Sequence, residues 1–331
     1  MNEERFLVTG ALGVIGAWTV ATLVRAGVPV VAFDLGDDTR RLRLILSDEE
    51  LAQVALVRGD TTDRASIEHA LDTHEITHVI HLAALLIPLI KADPPYGGLV
   101  NVVGTLNVFA SVKERRDRIR GLAYASSIAA YDRADDPGHP VPADAVGHPL
   151  THYGVNKQAN EGAARIYWLD DGVASVGLRP YIVYGPGRDT GLTAAPSLAM
   201  AAAAQGDGYH IPFGGRIMLQ HAADAGAAFI AAARAATEEA RVFNLGGGSV
   251  HVRDCIAAIE RAAPQVEGRI TFDDEQLPFP EEFEAETLER ALGPLSWRPL
   301  DEGVRETVEH YRRVGAAVSP APVSPPAVPG S

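Results

Sequence analysis

Tyr153 and Lys157 stand four residues apart, a spacing that puts both side chains on one face of a helix. A phenol is a poor base at neutral pH, but a neighbouring ammonium favours its anion. Such a tyrosine can take the proton of an alcohol while a nicotinamide takes the hydride from the same carbon. Ser127, at the end of the apolar run 121–127, can hydrogen-bond the same oxygen. A Tyr-x-x-x-Lys pair is common on helices for structural reasons alone, so its meaning depends on the elements that position it.

The first of these elements is a glycine turn. The apolar run 5–9 predicts a strand, and the stretch 13–26 predicts a helix. Between them lies Thr9-Gly10-Ala11-Leu12-Gly13-Val14-Ile15-Gly16. A side chain at such a turn would hold the backbone away from a pyrophosphate, and the helix N-terminus offers free N–H groups to that anion. Alone, the turn is equally a glycine-rich corner between strand and helix. The second strand, 28–34, ends in Asp34, a little under twenty residues after Gly16. An acid there accepts hydrogen bonds from the adenosine ribose hydroxyls and repels the extra phosphate of NADP. No arginine follows in Leu35-Gly36-Asp37-Asp38, so NAD is favoured over NADP.

Further strands are expected at 54–60, 77–84, 121–127 and 174–179, and helices at 64–74, 96–116 and 153–169. Residues 37–52 read as charged helix or loop, and 132–149 as a loop rich in Pro, Gly, Asp and His. Ala83 and Ala84, after the fourth strand, are small enough for a cofactor to lie close. The alternation predicts an α/β fold with a doubly wound, mostly parallel sheet. Beyond Arg179, residues 180–191 have loop chemistry, 193–205 and 222–236 read as Ala-rich helices, and 241–245 as a strand. The expected division is a dinucleotide-binding, Rossmann-type domain at 1–178 and a smaller substrate lobe over 179–314. The strand near 241–245 would return to the main sheet. The tail 315–331 holds only Ala, Pro, Ser, Val and Gly, and is expected to be disordered.

A formal charge of −14 over 331 residues argues against nucleic acid or an anionic membrane as partner. The single cysteine, Cys255, lies in an apolar helical pattern and reads as a core thiol. There is no multi-cysteine metal site, and two strand histidines, His78 and His81, read as structural, so no metal is expected. The pairs Asp144/His148 and His221/Asp224 read as loop or surface residues. No apolar run of membrane-spanning length and no signal peptide are seen, so a cytoplasmic protein is expected.

Together these pieces resemble the extended short-chain dehydrogenases/reductases, the NAD-dependent epimerase/dehydratase family. The matches are Thr9 with Gly10, Gly13 and Gly16, Asp34, Asp60, His81-Leu82-Ala83-Ala84, Asn101 to Asn107, Ser126-Ser127, Tyr153 with Lys157, Arg179-Pro180, Val183-Tyr184-Gly185-Pro186-Gly187 and Trp297-Arg298-Pro299 with Glu302-Gly303. The resemblance covers about 5–314. It implies that the glycine turn, with Leu12, Val14 and Ile15, lines the pyrophosphate of NAD. It places Asp34 at the ribose and Asp60 with Thr61 at the adenine. Leu82, Ala83, Ala84, Asn101 and Tyr181 complete the implied cofactor set. Tyr153 would be the acid/base, Lys157 would grip the nicotinamide ribose, and Ser127 would be the third catalytic member. Ser127, Tyr153, Arg188 and Arg216 would meet the substrate. A homodimer through a helical bundle is also implied.

The departures narrow the chemistry. Family 4,6-dehydratases carry an Asp-Glu pair after the catalytic Ser or Thr; here Ile128 and Ala129 have no exchangeable proton, which excludes dehydration. Many nucleotide-sugar members carry an Asn where Ile182 stands, and an Arg-Asp where Ile217-Met218 stand beside Arg216. Hydride transfer at a secondary alcohol of a sugar or sugar acid is therefore expected. A nucleotide-sugar epimerase with bound NAD and a non-catalytic NAD-binding sensor or scaffold remain as alternatives.

Overall fold

The computed structural model describes residues 3–131, 140–235 and 238–315; the tail 316–331 and residues 132–139 of the expected loop fall outside them. In chain order the first part runs β1 (Phe6–Thr9), α1 (Val14–Arg25), β2 (Val30–Asp34), α2 (Arg40–Ile45), α3 (Asp48–Leu51), β3 (Ala55–Arg58), α4 (Arg64–Thr73) and β4 (His78–His81). Then come α5 (Ile87–Ala92), α6 (Pro94–Gly98), α7 (Gly104–Lys113), β5 (Gly121–Ala125), α8 (His152–Asp171), β6 (Ser175–Arg179), β7 (Ile182–Tyr184), α9 (Ala195–Gln205), β8 (Tyr209–Ile211) and β9 (Arg216–His221). The chain closes with α10 (Ala222–Arg234), β10 (Ala240–Asn244), β11 (Gly248–His251), α11 (Val252–Ala262), β12 (Ile270–Phe272), α12 (Glu286–Leu292) and α13 (Leu300–Val314).

The central sheet has seven strands in the order β10-β6-β5-β4-β1-β2-β3, and all its pairings are parallel. Helices cover both faces, which is why β1 and β4 are buried along their whole length. Alternation along each strand divides the core in two. Phe6, Val8, Ile80, Ala123 and Val176 pack with Val20 and Ala21 of α1 and Phe229 of α10. Leu7, Val79, Leu122 and Tyr124 point the other way, to Ile67 of α4, Phe109 of α7 and Ala164 of α8. The strand order reverses between β1 and β4, so a crevice opens beyond their carboxyl ends, where open α/β sheets bind ligands.

Three expectations are corrected. The span 180–191 is not all loop: Ile182–Tyr184 form β7, fully buried and paired with β9 in a three-stranded sheet β11-β9-β7. Its three residues lie between Pro180 and Gly185, too short for periodicity to register. The regular helix expected over 96–116 is instead α6, a π-helical turn at Leu99–Val103 and α7 in succession, with the short α5 before them. Pro88, Pro94 and Pro95 start α5 and α6, where a missing N–H costs nothing. His221 and Asp224 are buried rather than superficial. Asp224 accepts from the Arg298 backbone N–H at 2.8 Å and pairs with its guanidinium. His221 caps α10 between the rings of Trp18 and Tyr184, and burial pushes its imidazole down to about 3. The strand histidines are structural: His81 bridges Thr9 and Thr105 at 2.7 and 3.0 Å, and His78 stacks on Phe6.

The fit of α10 onto the sheet depends on Gly121, where a Cβ would lie 1.7 Å from the Ala233 carbonyl oxygen. Gly121→Ala is expected to cost about 1–3 kcal/mol in urea denaturation. Gly98→Ala is the contrast. Its backbone is helical at φ −65° and a Cβ there meets nothing within 4 Å, so that change should be neutral or stabilise by up to about 1 kcal/mol.

Candidate active site

Beyond the carboxyl ends of the strands lies a cavity of about 480 Å³. Its wall includes Gly10, Gly13, Val14, Ile15 and Gly16 of the turn, Leu82 and Ala84 after β4, Ser127 after β5, Tyr153 and Lys157 of α8, and Tyr181 and Arg188. Of the residues expected at the site, these are the ones brought together around one space. Leu12, Asp34, Asp60, Thr61, Ala83, Asn101 and Arg216 are not part of that wall.

Two of the three turn glycines are required by the chain's own packing. Gly10 has φ +66°, and a Cβ on it would lie 2.6 Å from the Ala83 nitrogen. A Cβ on Gly16 would lie 2.3 Å from the Gly10 carbonyl oxygen. Gly13 is different. It caps α1 without a side-chain hydrogen bond, and the first turn holds no carboxylate. The N–H groups at this positive helix end are thus left to an anion. Asp34 is oriented from behind, accepting from the Leu12 N–H at 3.0 Å and the Gly36 N–H at 3.2 Å. Asp60 accepts from the Thr62 N–H at 2.8 Å, and Asn107 donates to the Thr61 carbonyl at 2.9 Å. Asn101 spends its amide on Leu85, accepting at 2.7 Å and donating at 3.0 Å, so it shapes the loop after β4. An uncapped helix end, a side-chain-free turn and an acid one strand away fit a dinucleotide.

The catalytic candidates are held from several directions. Thr151 caps α8, which starts the helix one residue before Tyr153. Lys157 is buried and donates to the Ala125 carbonyl at 2.7 Å, with its ammonium 5.4 Å from the centre of the Tyr153 ring. Burial lowers Lys157 to about 8, against the opposing charge of Glu161. Ser127 accepts from the Ala129 N–H at 3.1 Å, which fixes its hydroxyl, and it hydrogen-bonds the Tyr153 phenol. Tyr153 lines the cavity, and burial raises its phenol. The Ser127 hydrogen bond and the Arg188 charge pull it back. The cation that eases Tyr153 here is thus Arg188; Lys157 lies against the ring face and is engaged by Ala125.

Arg188 donates to Thr193 at 2.8 Å, while its Nε is buried without a partner. It forms no ion pair among the described residues, and burial disfavours its charge, with Tyr153 opposing. Tyr181 lines the cavity with its ring edge-on to Phe279 and Phe283. Arg216 is not brought to the cavity. It is exposed at the start of β9 and donates to Ser249 of β11, at 2.8 Å to the carbonyl. Sequence reasoning missed the apolar cap Leu277-Pro278-Phe279, the cavity residue Arg41, and Glu161. Glu161 was the findable one, on the Lys157 face one helical turn later.

The model of the NAD dependent epimerase/dehydratase family matches residues 6–246. The chain belongs to that family. Its cofactor is NAD. The chain is 31% identical to UDP-glucuronate 4-epimerase 2 of Arabidopsis thaliana over 193 residues, 56% of this chain and 43% of that protein. The aligned part thus spans less than half of that relative. A UDP-glucose 4-epimerase of Thermus thermophilus, solved with NAD, is 25% identical with a TM-score of 0.75, covering 93% of this chain and 99% of that one. A partial-consensus L-threonine 3-dehydrogenase shares the fold at a TM-score of 0.82 and 23% identity, over 93% and 99% of the two chains. Among the described residues no helix is long and apolar enough to cross a membrane, and no cluster of three metal-ligating side chains occurs.

A pH dependence follows from the Tyr153 surroundings. Ser127 lowers the phenol, so removing it raises the pH at which the phenolate forms. In Ser127→Ala the rise of oxidation kcat/KM with pH should move to more alkaline pH, and the rate at pH 7 should fall. A midpoint that stays in place would count against this coupling.

Proposed function

We propose that this protein transfers hydride between NAD and a secondary alcohol of a small polyhydroxylated substrate bearing a carboxylate, a sugar acid or close analogue. Arg188 carries the reading. A guanidinium in the cavity wall beside Tyr153, with no carboxylate paired to it among the described residues, matches a substrate carboxylate in charge and in paired donor geometry. NAD supplies the hydride acceptor at the carbinol carbon. Tyr153 takes the hydroxyl proton, Ser127 holds the oxygen, and Lys157 grips the nicotinamide ribose. Arg188 fixes which carbon faces Tyr153. A ketone that leaves makes the enzyme a dehydrogenase; one that turns over and is reduced on its other face makes it an epimerase.

Dehydration lies outside this reading, because Ile128 and Ala129 line the cavity where an acid pair would be needed. Ile182, Ile217 and Met218 are buried apolar residues and offer no donor to a nucleotide diphosphate, which favours a substrate without a nucleotide. The UDP-glucuronate 4-epimerase relatives, named for a uronate, agree with the carboxylate and keep the nucleotide-bearing version as the alternative. In this reading 1–178 hold NAD and 179–314 mainly hold the substrate.

The test is a panel of uronates, aldonates, hydroxy amino acids, neutral sugars and UDP-glucuronate, followed at the NADH absorbance on protein stripped of cofactor. Tyr153→Phe should lower kcat about 10²–10⁴-fold with NAD affinity near wild type. Arg188→Leu should raise KM for the acids only. Unchanged turnover in Tyr153→Phe, or equal use of neutral sugars, overturns the proposal. No turnover with intact NAD binding would favour the sensor or scaffold reading.

The proposal includes a homodimer. Val155, Ala159, Gly162, Ile166 and Leu169 form one exposed stripe along α8, and Leu99 and Val103 are exposed in the adjoining π-helical turn. A second copy packing α8 against α8 would cover it. Light scattering should give twice the chain mass for wild type and the chain mass for Ile166→Glu; a monomeric wild type removes the dimer.

A further inference from the structure

The loop 185–191 carries Arg188, and among the side chains that hold it are three from α1, α2 and α13. Trp18 of α1 donates to the Pro186 carbonyl at 3.0 Å, and the Tyr311 hydroxyl of α13 accepts from the Gly187 N–H at 3.1 Å. Arg41 of α2 donates through Nε to the Gly187 carbonyl at 2.9 Å, and through Nη2 to Asp189 at 2.6 Å. Asp189 is buried and also pairs with Arg40 at 3.1 Å. Arg41 alone of the three reaches into the glycine turn, where Nη1 donates to the Leu12 carbonyl at 3.0 Å. The N–H of that same Leu12 is bound to Asp34, the acid at the end of β2. One planar guanidinium thus joins the backbone of the cofactor turn to the backbone and the acid of the loop on both sides of Arg188.

We infer that Arg41 is a positioning residue that couples NAD at the glycine turn to the placement of Arg188. The inference rests on the reading of Arg188 as a substrate contact, but the clamp itself is defined by the turn and the loop. The geometry assigns Arg41 three fixed acceptors on two segments about 175 residues apart in the chain. Lysine has one charge point and no planar fork, so it cannot serve all three in this arrangement. Ordering the turn by cofactor therefore orders the loop through Arg41, and loss of Arg41 leaves the two segments independent. Asp189 and Arg41 also bear on the Arg188 charge, Asp189 favouring it and Arg41 opposing it. Release of the clamp would thus change both the position of Arg188 and the field around it.

Hydrogen–deuterium exchange of the full chain, with and without saturating NAD, tests this. In wild type, NAD should slow exchange at 9–16 and also at 185–191. In Arg41→Met, NAD should still protect 9–16 but no longer protect 185–191. Trp18→Phe, which loosens the same loop without touching the turn, should keep NAD-dependent protection there. With a substrate found by the panel above, Arg41→Met should raise substrate KM about 5–150-fold with a smaller change in kcat, and Arg41→Lys should not restore it. Loop protection equal in wild type and Arg41→Met overturns the clamp, as does wild type protected only at 9–16. Absence of protection at 9–16 in wild type overturns the cofactor placement and the clamp with it. A clamp that survives while Arg188→Leu leaves substrate use unchanged would condemn the substrate reading alone.

Discussion

The constraint on which the site depends is the ion pair between Glu161 and Arg179. Glu161 lies on α8, two helical turns beyond Tyr153, and Arg179 is the last residue of β6. The guanidinium meets both carboxylate oxygens at 2.7 Å, and both side chains are largely buried. Ser126 of the β5 end also donates to Glu161. On its far side Arg179 donates to Tyr131, to the Ala143 carbonyl at 2.7 Å and to Asn244, the last residue of β10. Three adjacent parallel strands therefore end on one network, and α8 is bound to it. Ser127 follows Ser126 directly, and Lys157 lies one turn from Glu161, so the pair sets how far the serine stands from the tyrosine. Removing one partner would strand a buried charge, at a cost of about 3–5 kcal/mol. A buried pair is a poor source of net stability, but its geometry permits few alternatives, and the proton transfer proposed for Tyr153 needs that.

The charge balance of the cavity follows a similar rule. The chain carries a net −14, yet Lys157, Arg41 and Arg188 line the cavity. Each cation is in a different state. Arg41 is neutralised by Asp189, and Lys157 is bound to a carbonyl and weakened by burial. Arg188 has a threonine hydroxyl and no acid among the described residues. Burial of a cation is tolerated when the missing partner arrives with the ligand. An acidic exterior repels anions at long range, so capture of an anion rests on donors inside the cavity.

How much of this was legible in the sequence depends on the range of each interaction. Strand and helix order along the first half was readable because parallel strands covered on both faces are almost wholly apolar, and helices show their own period. Tyr153 and Lys157 were readable because four residues on a helix is a local relation. Asp224 was misread because its partner, Arg298, lies 74 residues away. Arg41 was invisible for the same reason, being one of three arginines in Arg40-Arg41-Leu42-Arg43 with nothing local to single it out. Arg216 had the right type at nearly the right position. What moved it away was the pairing of β9 with β11, which put Ser249 within its reach. The residues that shape chemistry by holding others are set by tertiary contacts, and these leave no local period.

The glycine turn sharpens that distinction. Gly10 must adopt a positive φ against Ala83, and Gly16 must let α1 pass close to Gly10. Neither requirement refers to a ligand: they arise from packing β1 and α1 against the chain that follows β4. A chain with this corner would need both glycines even if it bound nothing. Gly13 is under weaker demand, since its Cβ would meet only the Gly10 carbonyl oxygen, at 3.2 Å. Its value lies in the face it leaves bare at the uncapped end of α1. The spacing of the three therefore marks the fold through its outer members, while its middle one leaves the helix end open to the anion of the proposed cofactor site. The link to a dinucleotide is completed by Asp34, whose carboxylate is turned by Leu12 of the same corner. Through Leu12, the glycine corner is also where Arg41 takes hold, so the packing of the turn and the placing of the loop 185–191 are parts of one arrangement.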